Sequence, residues 1–423
     1  MEETTAKETA TAGAQGAQLQ AAATQQVPAV QNVPFFKPTL GEAEKRAACA
    51  VIESGWLTTG KVTHAFEEEF AAFTGAKHAL AVNSNTSGMT LAMEACGVAP
   101  DTRVITTPYT FVSTAACAAH LGADVAFADI EANTNSIDPA AVEAILKADA
   151  AHTVRAIVPV HIAGNLCDME RLTALARQYS TPEHKIYVIE DAAHAFPSRT
   201  ARGMAGTLGD AGVFSFYATK TMTTGEGGMV TTNDDALARR MTTMRLHGMS
   251  RDAWDRYTNP RASWQYDIVD LGYKCNLPDV LSAIGREQLK QADTFDRQRK
   301  AIAARYNKAF RALDFAILPP DGEGNSWHLY ILRLHLELLD CDRDTFAREL
   351  QEAGIGISMH FIPLFHFSYW KQRYPDFTAD RFPNAQAHYI SAITLPLFPS
   401  MTEAQADYVI ETVARIGAKH RVR

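Results

Sequence analysis

Lys220 lies in the stretch GVFSFYATKTMTTGEGGMV, residues 212–230, where a short apolar run delivers one amine into a segment crowded with glycine and threonine. Val213, Phe214 and Phe216 have the pattern of a buried strand end, and GEGG followed by MVTT reads as a tight turn into a second strand. An amine held between two buried strands loses hydration. That loss lowers its pKa and suits it to attack a carbonyl or to act as a base near neutral pH. The chain holds 40 Lys and Arg, nearly all of which can only be solvated charges, so the chemistry depends on what else converges on Lys220.

Four strand ends supply candidates. The run KIYVI ends in Glu190 and Asp191, followed by Ala192, Ala193 and His194. A strand-end Asp is otherwise a helix cap or a solvated turn residue. Beside a Schiff-base lysine it has a specific use, because pyridoxal phosphate stores electrons only when its ring nitrogen is protonated and a nearby carboxylate favours that state. HALAVNS runs into Asn85, Thr86, Ser87 and Gly88 at a helix start, a ready cradle for phosphate that also reads as an ordinary N-cap. VITTPYTF places Phe111 where its ring could stack on a planar cofactor or fill the core, and RAIVPV ends at His161, a functional or a core imidazole.

The elements that must position these residues follow from the patterning. From Val33 onward, apolar runs alternate with helical segments such as PAAVEAILKA and MERLTALARQY, which indicates βαβ units around a largely parallel sheet whose ligands collect at the strands' carboxyl ends. A second, smaller α+β region starts at NLPDV. There Asp279 is expected to cap one long helix, WHLYILRLHL and IGISMHFIPL are expected to be strands, and Thr402 and Gln405 have capping-box spacing. The expected division is a disordered tail over 1–32, poor in anything to bury, a large domain over 33–278 and a small one over 279–423.

Composition narrows the function classes. With 47% hydrophobic and 21% charged residues the chain is that of a globular protein, and no apolar run approaches the roughly 20 residues of a membrane span. The start MEETTAKETA lacks a secretory pattern, so the expected location is cytoplasmic. A net charge of -8 argues against nucleic acid as a partner. The six cysteines are scattered without metal-ligand spacing and are expected to be buried thiols, with no metal site. RLHGMSRDAWDRYTNPR, which includes Arg256 and Arg261, is locally basic and is either a solvated loop or a clamp for a diphosphate.

The ordered motifs SGWLTTG, AVNSNTSGM, TTPYTFVST, VPVHIAG, IEDAAHA, FSFYATKTMTTGEGG, LGYKCN and MHFIPL resemble the DegT/DnrJ/EryC1/StrS family of pyridoxal-phosphate sugar aminotransferases from about residue 54 to residue 402. The resemblance implies an α/β fold of the aspartate-aminotransferase type (fold type I), with a mostly parallel central sheet and a smaller α+β C-terminal domain. It implies Lys220 as the residue that carries the cofactor, Asp191 at the ring nitrogen, His194 near the ring hydroxyl and Phe111 stacked on the ring. Thr86, Ser87 and Ser215 would hold the phosphate, and Asn276 would complete that site from the neighbouring subunit of a homodimer. Trp56, Thr58, Thr59, His161, Tyr217 and His360 would face the sugar, with Arg256 and Arg261 at its diphosphate. The implied reaction takes an amino group from glutamate, leaving 2-oxoglutarate, to a nucleotide-linked keto-sugar, with a 4-keto-6-deoxyhexose expected. The alternatives are a same-family dehydratase, which would carry histidine in place of Lys220, a non-catalytic regulator that binds the cofactor, and a nicotinamide dehydrogenase, for which the required GxGxxG is missing.

Overall fold

The computed structural model describes residues 32–250 and 266–422. Arg256, Arg261 and all but the last residue of the expected tail lie outside that range. The large sheet comprises β1 (His78–Val82), β2 (Arg103–Thr106), β3 (Asp124–Phe127), β4 (Val154–Ile157), β5 (Tyr187–Asp191), β6 (Ala211–Ser215) and β7 (Gly228–Thr232), in spatial order β1-β7-β6-β5-β4-β2-β3. β2, β3, β4, β5 and β6 pair in parallel, while β7 runs antiparallel to both β1 and β6.

The strands are apolar on both faces because helices cover both. Val213 packs in one cluster with Val82, Met89 and Val230, and its neighbour Phe214 packs in another with Phe66, Phe70 and Met229. The covering helices are α1 (Glu42–Ser54), α2 (Lys61–Thr74), α3 (Asn85–Ala95), α4 (Ser113–His120), α5 (Pro139–Ala148), α6 (Met169–Tyr179), α7 (Asp235–Met244) and α8 (Asp279–Lys290). α3 approaches the sheet so closely that a Cβ on Gly88 would lie 2.6 Å from Val213 and 2.9 Å from Val230, which only glycine avoids.

Next come α9 (Ala292–Phe310), α10 (Arg343–Glu352), α11 (Ser368–Arg373), α12 (Pro383–Ser391) and α13 (Glu403–Lys419). A three-stranded antiparallel sheet of β8 (Ala316–Ile317), β9 (Tyr330–Leu334) and β10 (Ala392–Leu395) shares an apolar core with α9, α10 and α13, where Tyr306, Phe310, Phe346, Tyr330 and Val413 are buried. Val33 belongs to this core and pairs with Ile355, so the segment after it passes from the small sheet towards the large one.

Several expectations are corrected. The long helix from Asp279 is two helices, interrupted at Gln291. Asp279 does not cap its own helix: its carboxylate accepts hydrogen bonds from the backbone N–H groups of Gly60, Val62 and Thr63 and from the Thr63 hydroxyl, and so caps α2. IGISMHFIPL forms no strand and shares with β10 a single Ser358–Thr394 backbone bridge, with a cis peptide at His360–Phe361. All six cysteines are free, but Cys49 is exposed and Cys341 half-buried. The capping box of Thr402 and Gln405 is present. No described helix is long and apolar enough to cross a membrane.

Candidate active site

The β6–β7 connection carries Lys220 across the carboxyl ends of the parallel strands, into a cavity of about 380 Å³ that Asp191 also lines. Burial lowers the Lys220 ammonium to about 8, with the charge of Asp191 opposing the shift. Among the described residues neither group has a direct ion-pair partner. Instead Asp191 Oδ2 accepts from the Thr114 hydroxyl (2.8 Å), and Oδ1 accepts from Ala193 N–H (3.2 Å) and the Asn85 amide (3.3 Å). Burial raises the Asp191 carboxyl above its ordinary range, while these donors and Lys220 work in the opposite direction.

Strand alternation separates two adjacent carboxylates. Asp191 faces the cavity, whereas Glu190 is fully buried and accepts from the N–H groups of Gly206 (2.8 Å), Leu208 (2.7 Å) and Gly209 (2.7 Å). His161 goes with Glu190 and not with the cavity. Its Nδ1 accepts from Cys167 N–H (3.2 Å), which leaves Nε2–H to donate to Glu190 at 2.9 Å. The expectation that His161 faces substrate is therefore corrected: its nitrogens are consumed by the interior.

At the start of α3, Ser84 is the N-cap, accepting from Ser87 N–H, and Ser84, Asn85 and Thr86 line the cavity. β7 abuts this turn: a Cβ on Gly228 would lie 2.9 Å from Asn85 N. Ser87 sits on the same turn without lining the cavity, its hydroxyl donating to Asn83 (2.7 Å). Ser215, Tyr217 and Phe111 line it, and the Phe111 ring is 60% exposed. The opposite wall is aromatic. His194 stacks on Phe361 (5.5 Å between centroids, 20°), and His360 stacks on Phe35 (5.8 Å, 19°) while its Nδ1 lies 3.0 Å from Thr394 Oγ1. Burial and the nearby Lys220 hold His194 well below the imidazole range and His360 at about 3, so both rings are neutral.

The remaining expected residues are placed elsewhere within the protomer. Thr59 Oγ1 donates to Leu277 O (2.6 Å) and accepts from the Asn276 amide (2.6 Å); Trp56 Nε1 donates to Thr59 O (3.3 Å), and Thr58 is exposed. None of the four lines the cavity. Sequence reasoning gave no role to Thr114, Phe35, His328 or Phe361, and read Asn85 only as part of a phosphate cradle and not as a partner of Asp191. Asn85 and Thr114 stood inside motifs already singled out, whereas His328 was read only as the start of a strand and Phe35 only as part of the opening of the large domain.

The chamber fits pyridoxal 5'-phosphate on its own chemistry. It offers a desolvated amine for the aldehyde, a buried carboxylate held by neutral donors for the pyridine nitrogen, and a helix N-terminus with hydroxyls for the phosphate. Residues 38–414 match the DegT/DnrJ/EryC1/StrS aminotransferase family. The chain is 43% identical over 387 residues to the spore coat polysaccharide biosynthesis protein SpsC of Bacillus subtilis (strain 168), covering 91% of this chain and 97% of that one. The fold superposes on the putative sugar aminotransferase Spr1654 from Streptococcus pneumoniae in its PMP form with a TM-score of 0.84 and 30% identity, over 92% of this chain and 100% of that one. For Helicobacter pylori PseC, an aminotransferase involved in the biosynthesis of pseudoaminic acid, the TM-score is 0.82 at 28% identity, over 91% and 99%. With its fold type I sheet, its lysine and its carboxylate in place, the chain belongs to the DegT/DnrJ/EryC1/StrS aminotransferase family and is a pyridoxal-phosphate-dependent sugar aminotransferase.

Proposed function

We propose that the protein transfers the amino group of glutamate to a nucleotide-linked keto-sugar, a 4-keto-6-deoxyhexose by preference, from a cytoplasmic homodimer with shared sites. The observation that carries this reading is the pairing of a desolvated Lys220 with the buried Asp191 on one cavity whose facing wall is neutral and aromatic. A neutral wall suits the hydroxyl-bearing ring of a sugar. The relatives named for polysaccharide and pseudoaminic acid biosynthesis support a surface-glycan substrate.

Bound pyridoxal phosphate supplies the electron sink for both half-reactions. The protein supplies the rest. Lys220 Nζ, neutral above about pH 8, takes and returns the proton that moves in each half-reaction. With the cofactor bound, Asp191 would hold negative charge towards the ring nitrogen, the start of α3 with Thr86 and Ser215 would bind the phosphate, and Phe111 would offer its ring as a stacking surface. Thr114 and Asn85 fix the Asp191 carboxylate by hydrogen bonds. The intact Lys220 disfavours the dehydratase reading.

Lys220→Ala should abolish borohydride-reducible cofactor absorbance and turnover while the protein stays folded. A variant that keeps both would overturn the assignment. Incubating the glutamate-loaded enzyme with UDP-, dTDP- and GDP-keto-sugars identifies the substrate as the compound that restores the aldehyde spectrum, and failure of all of them would sink the keto-sugar reading.

A further inference from the structure

Outside the active site, three side chains with metal-ligating chemistry meet where the end of the chain joins the small domain. Asp340, Cys341 and His420 bring a carboxylate oxygen, a thiol sulfur and a ring nitrogen within 4.8 Å of one another. Asp340 and His420 stand 80 positions apart, so the fold and not a sequence spacing assembles the group.

Backbone pairing holds the two segments together. Asp340 N–H donates to His420 O (2.8 Å), Val422 N–H donates to Leu338 O (3.0 Å), and Leu339 bridges to Arg421. The first segment enters α10 through its cap Asp342, whose Oδ1 accepts from Thr345 N–H (2.8 Å). The second leaves α13 at His420. Cys341 is half-buried against the core of the small domain, which confines its sulfur. The His420 ring is 14% exposed and oriented at both nitrogens, with Nδ1 2.7 Å from Asp340 Oδ1 and Nε2 2.8 Å from Glu349 Oε1.

Both of these partners are carboxylates that only accept, so each ring nitrogen carries a proton. The hydrogen bond to Glu349, followed by that to Asp340, pushes the imidazole up against the effect of burial. Burial and the charges of Asp340, Glu349 and Asp342 push the Cys341 thiol up, with Lys419 opposing them from 2.7 Å beside Glu349. Three carboxylates thus face one ammonium, a field that favours a further cation. A cation that replaced the Nδ1 proton would find Nε2–H still held by Glu349, and a carboxylate behind the ring is what orients a metal-bound histidine. Sulfur with nitrogen selects zinc over magnesium or calcium. Tetrahedral zinc keeps such ligands about 3.3–3.6 Å apart, so the group needs to close by about an ångström at most, and the exposed Asp340 side chain is free to rotate.

We propose that Asp340, Cys341 and His420 form a zinc site, with water as fourth ligand, that clips the end of the chain to the turn before α10. As the S–Zn and N–Zn bonds form, the Cys341 thiol and His420 Nδ1 release their protons to solvent, and no electrons are transferred. The site is independent of the keto-sugar reading.

The test uses the untagged, cofactor-loaded protein with Cys341→Ser and His420→Gln. Zn2+ is titrated by calorimetry in two buffers of different ionisation heat, and Co2+ serves as optical probe, read as a difference from the same protein before addition. Wild type should bind one ion per chain, release about one proton or more, and show the near-ultraviolet charge-transfer band of a thiolate on cobalt. Each variant should bind Zn2+ about 100-fold more weakly, and C341S should lose the band. Mg2+ should not compete. Thermal midpoints before metal is added, and unchanged cofactor absorbance, check that the variants are folded. A cobalt complex without the thiolate band overturns the proposal, as does Zn2+ affinity within twofold of wild type in either variant. Competition by equimolar Mg2+ overturns it too, since that marks a hard-cation cluster of carboxylates.

Discussion

At Lys220, burial does what a catalytic amine needs: it brings the ammonium down to about 8. Only about a tenth of the side chain is then neutral at pH 7, and most of it is neutral at pH 9. The rate at which apoenzyme captures pyridoxal phosphate should therefore rise about tenfold per pH unit below 8 and level off above it, as stopped-flow absorbance would show. A flat profile between pH 6 and 8 would contradict the assignment. The two carboxylates of IEDAAHA give a second residue-scale prediction. Asp191→Asn should fold normally and lose activity by about 10²-fold or more, because the carboxylate proposed to face the cofactor's ring nitrogen would be gone. Glu190→Gln should instead lose about 3 kcal/mol of stability, since one of the two buried oxygens that accept from three N–H groups and His161 becomes an NH2 facing donors. Lys220 and Asp191 are legible in the sequence because each ends an apolar run, which fixes the edge of the sheet where it emerges. The misreading of His161 has the same origin. Strand-end position says that a side chain is near the site, but one residue of register decides which way it faces.

The elements show where local pattern was sufficient and where it was not. Strands β1 to β7 are short, mostly apolar runs of the kind found in a sheet covered on both faces, so their order along the chain and their type could be read directly. The capping box at Thr402 is local and was equally readable. Asp279 was not, because its four hydrogen bonds reach residues more than 200 positions away: it stands at the first turn of α8 yet serves the N-terminus of α2. Asp279→Ala should cost about 2–4 kcal/mol in urea denaturation, more than an ordinary cap, because three backbone N–H groups, two of them in buried bonds, lose their acceptor together. A loss below about 1 kcal/mol would mean that water replaces the carboxylate. The segment around His360 misleads for a related reason. Its alternating pattern has the period of a strand, but the His360 and Phe361 rings are recruited by Phe35 and His194, and the backbone follows the rings and leaves the ladder.

Across the whole molecule, the proposed homodimer is supported by the exposed apolar side chains Leu271 (89%), Val269 (57%) and Ile268 (51%), which lie close in sequence to Asn276. Leu271→Asp should shift the mass seen by light scattering from dimer to monomer and reduce activity in parallel. A dimer that survives unchanged would place the interface elsewhere. The motif SGWLTTG and Asn276, which lie together and away from the protomer's own cavity, are the residues whose roles this experiment would connect to the site. The cavity itself is walled by Phe35 near one end of the chain, by Asp191 and Lys220 in its middle, and by Leu397 near the other end. Translation sets the order in which these arrive. A ribosome can release the entire large sheet and expose Lys220 well before the last wall exists, since Leu397 follows it by a stretch that takes on the order of ten seconds or more to synthesise. Until then part of the wall that encloses the amine is missing. The depressed basicity of Lys220 is thus a property of the completed chain and not of the segment that carries it.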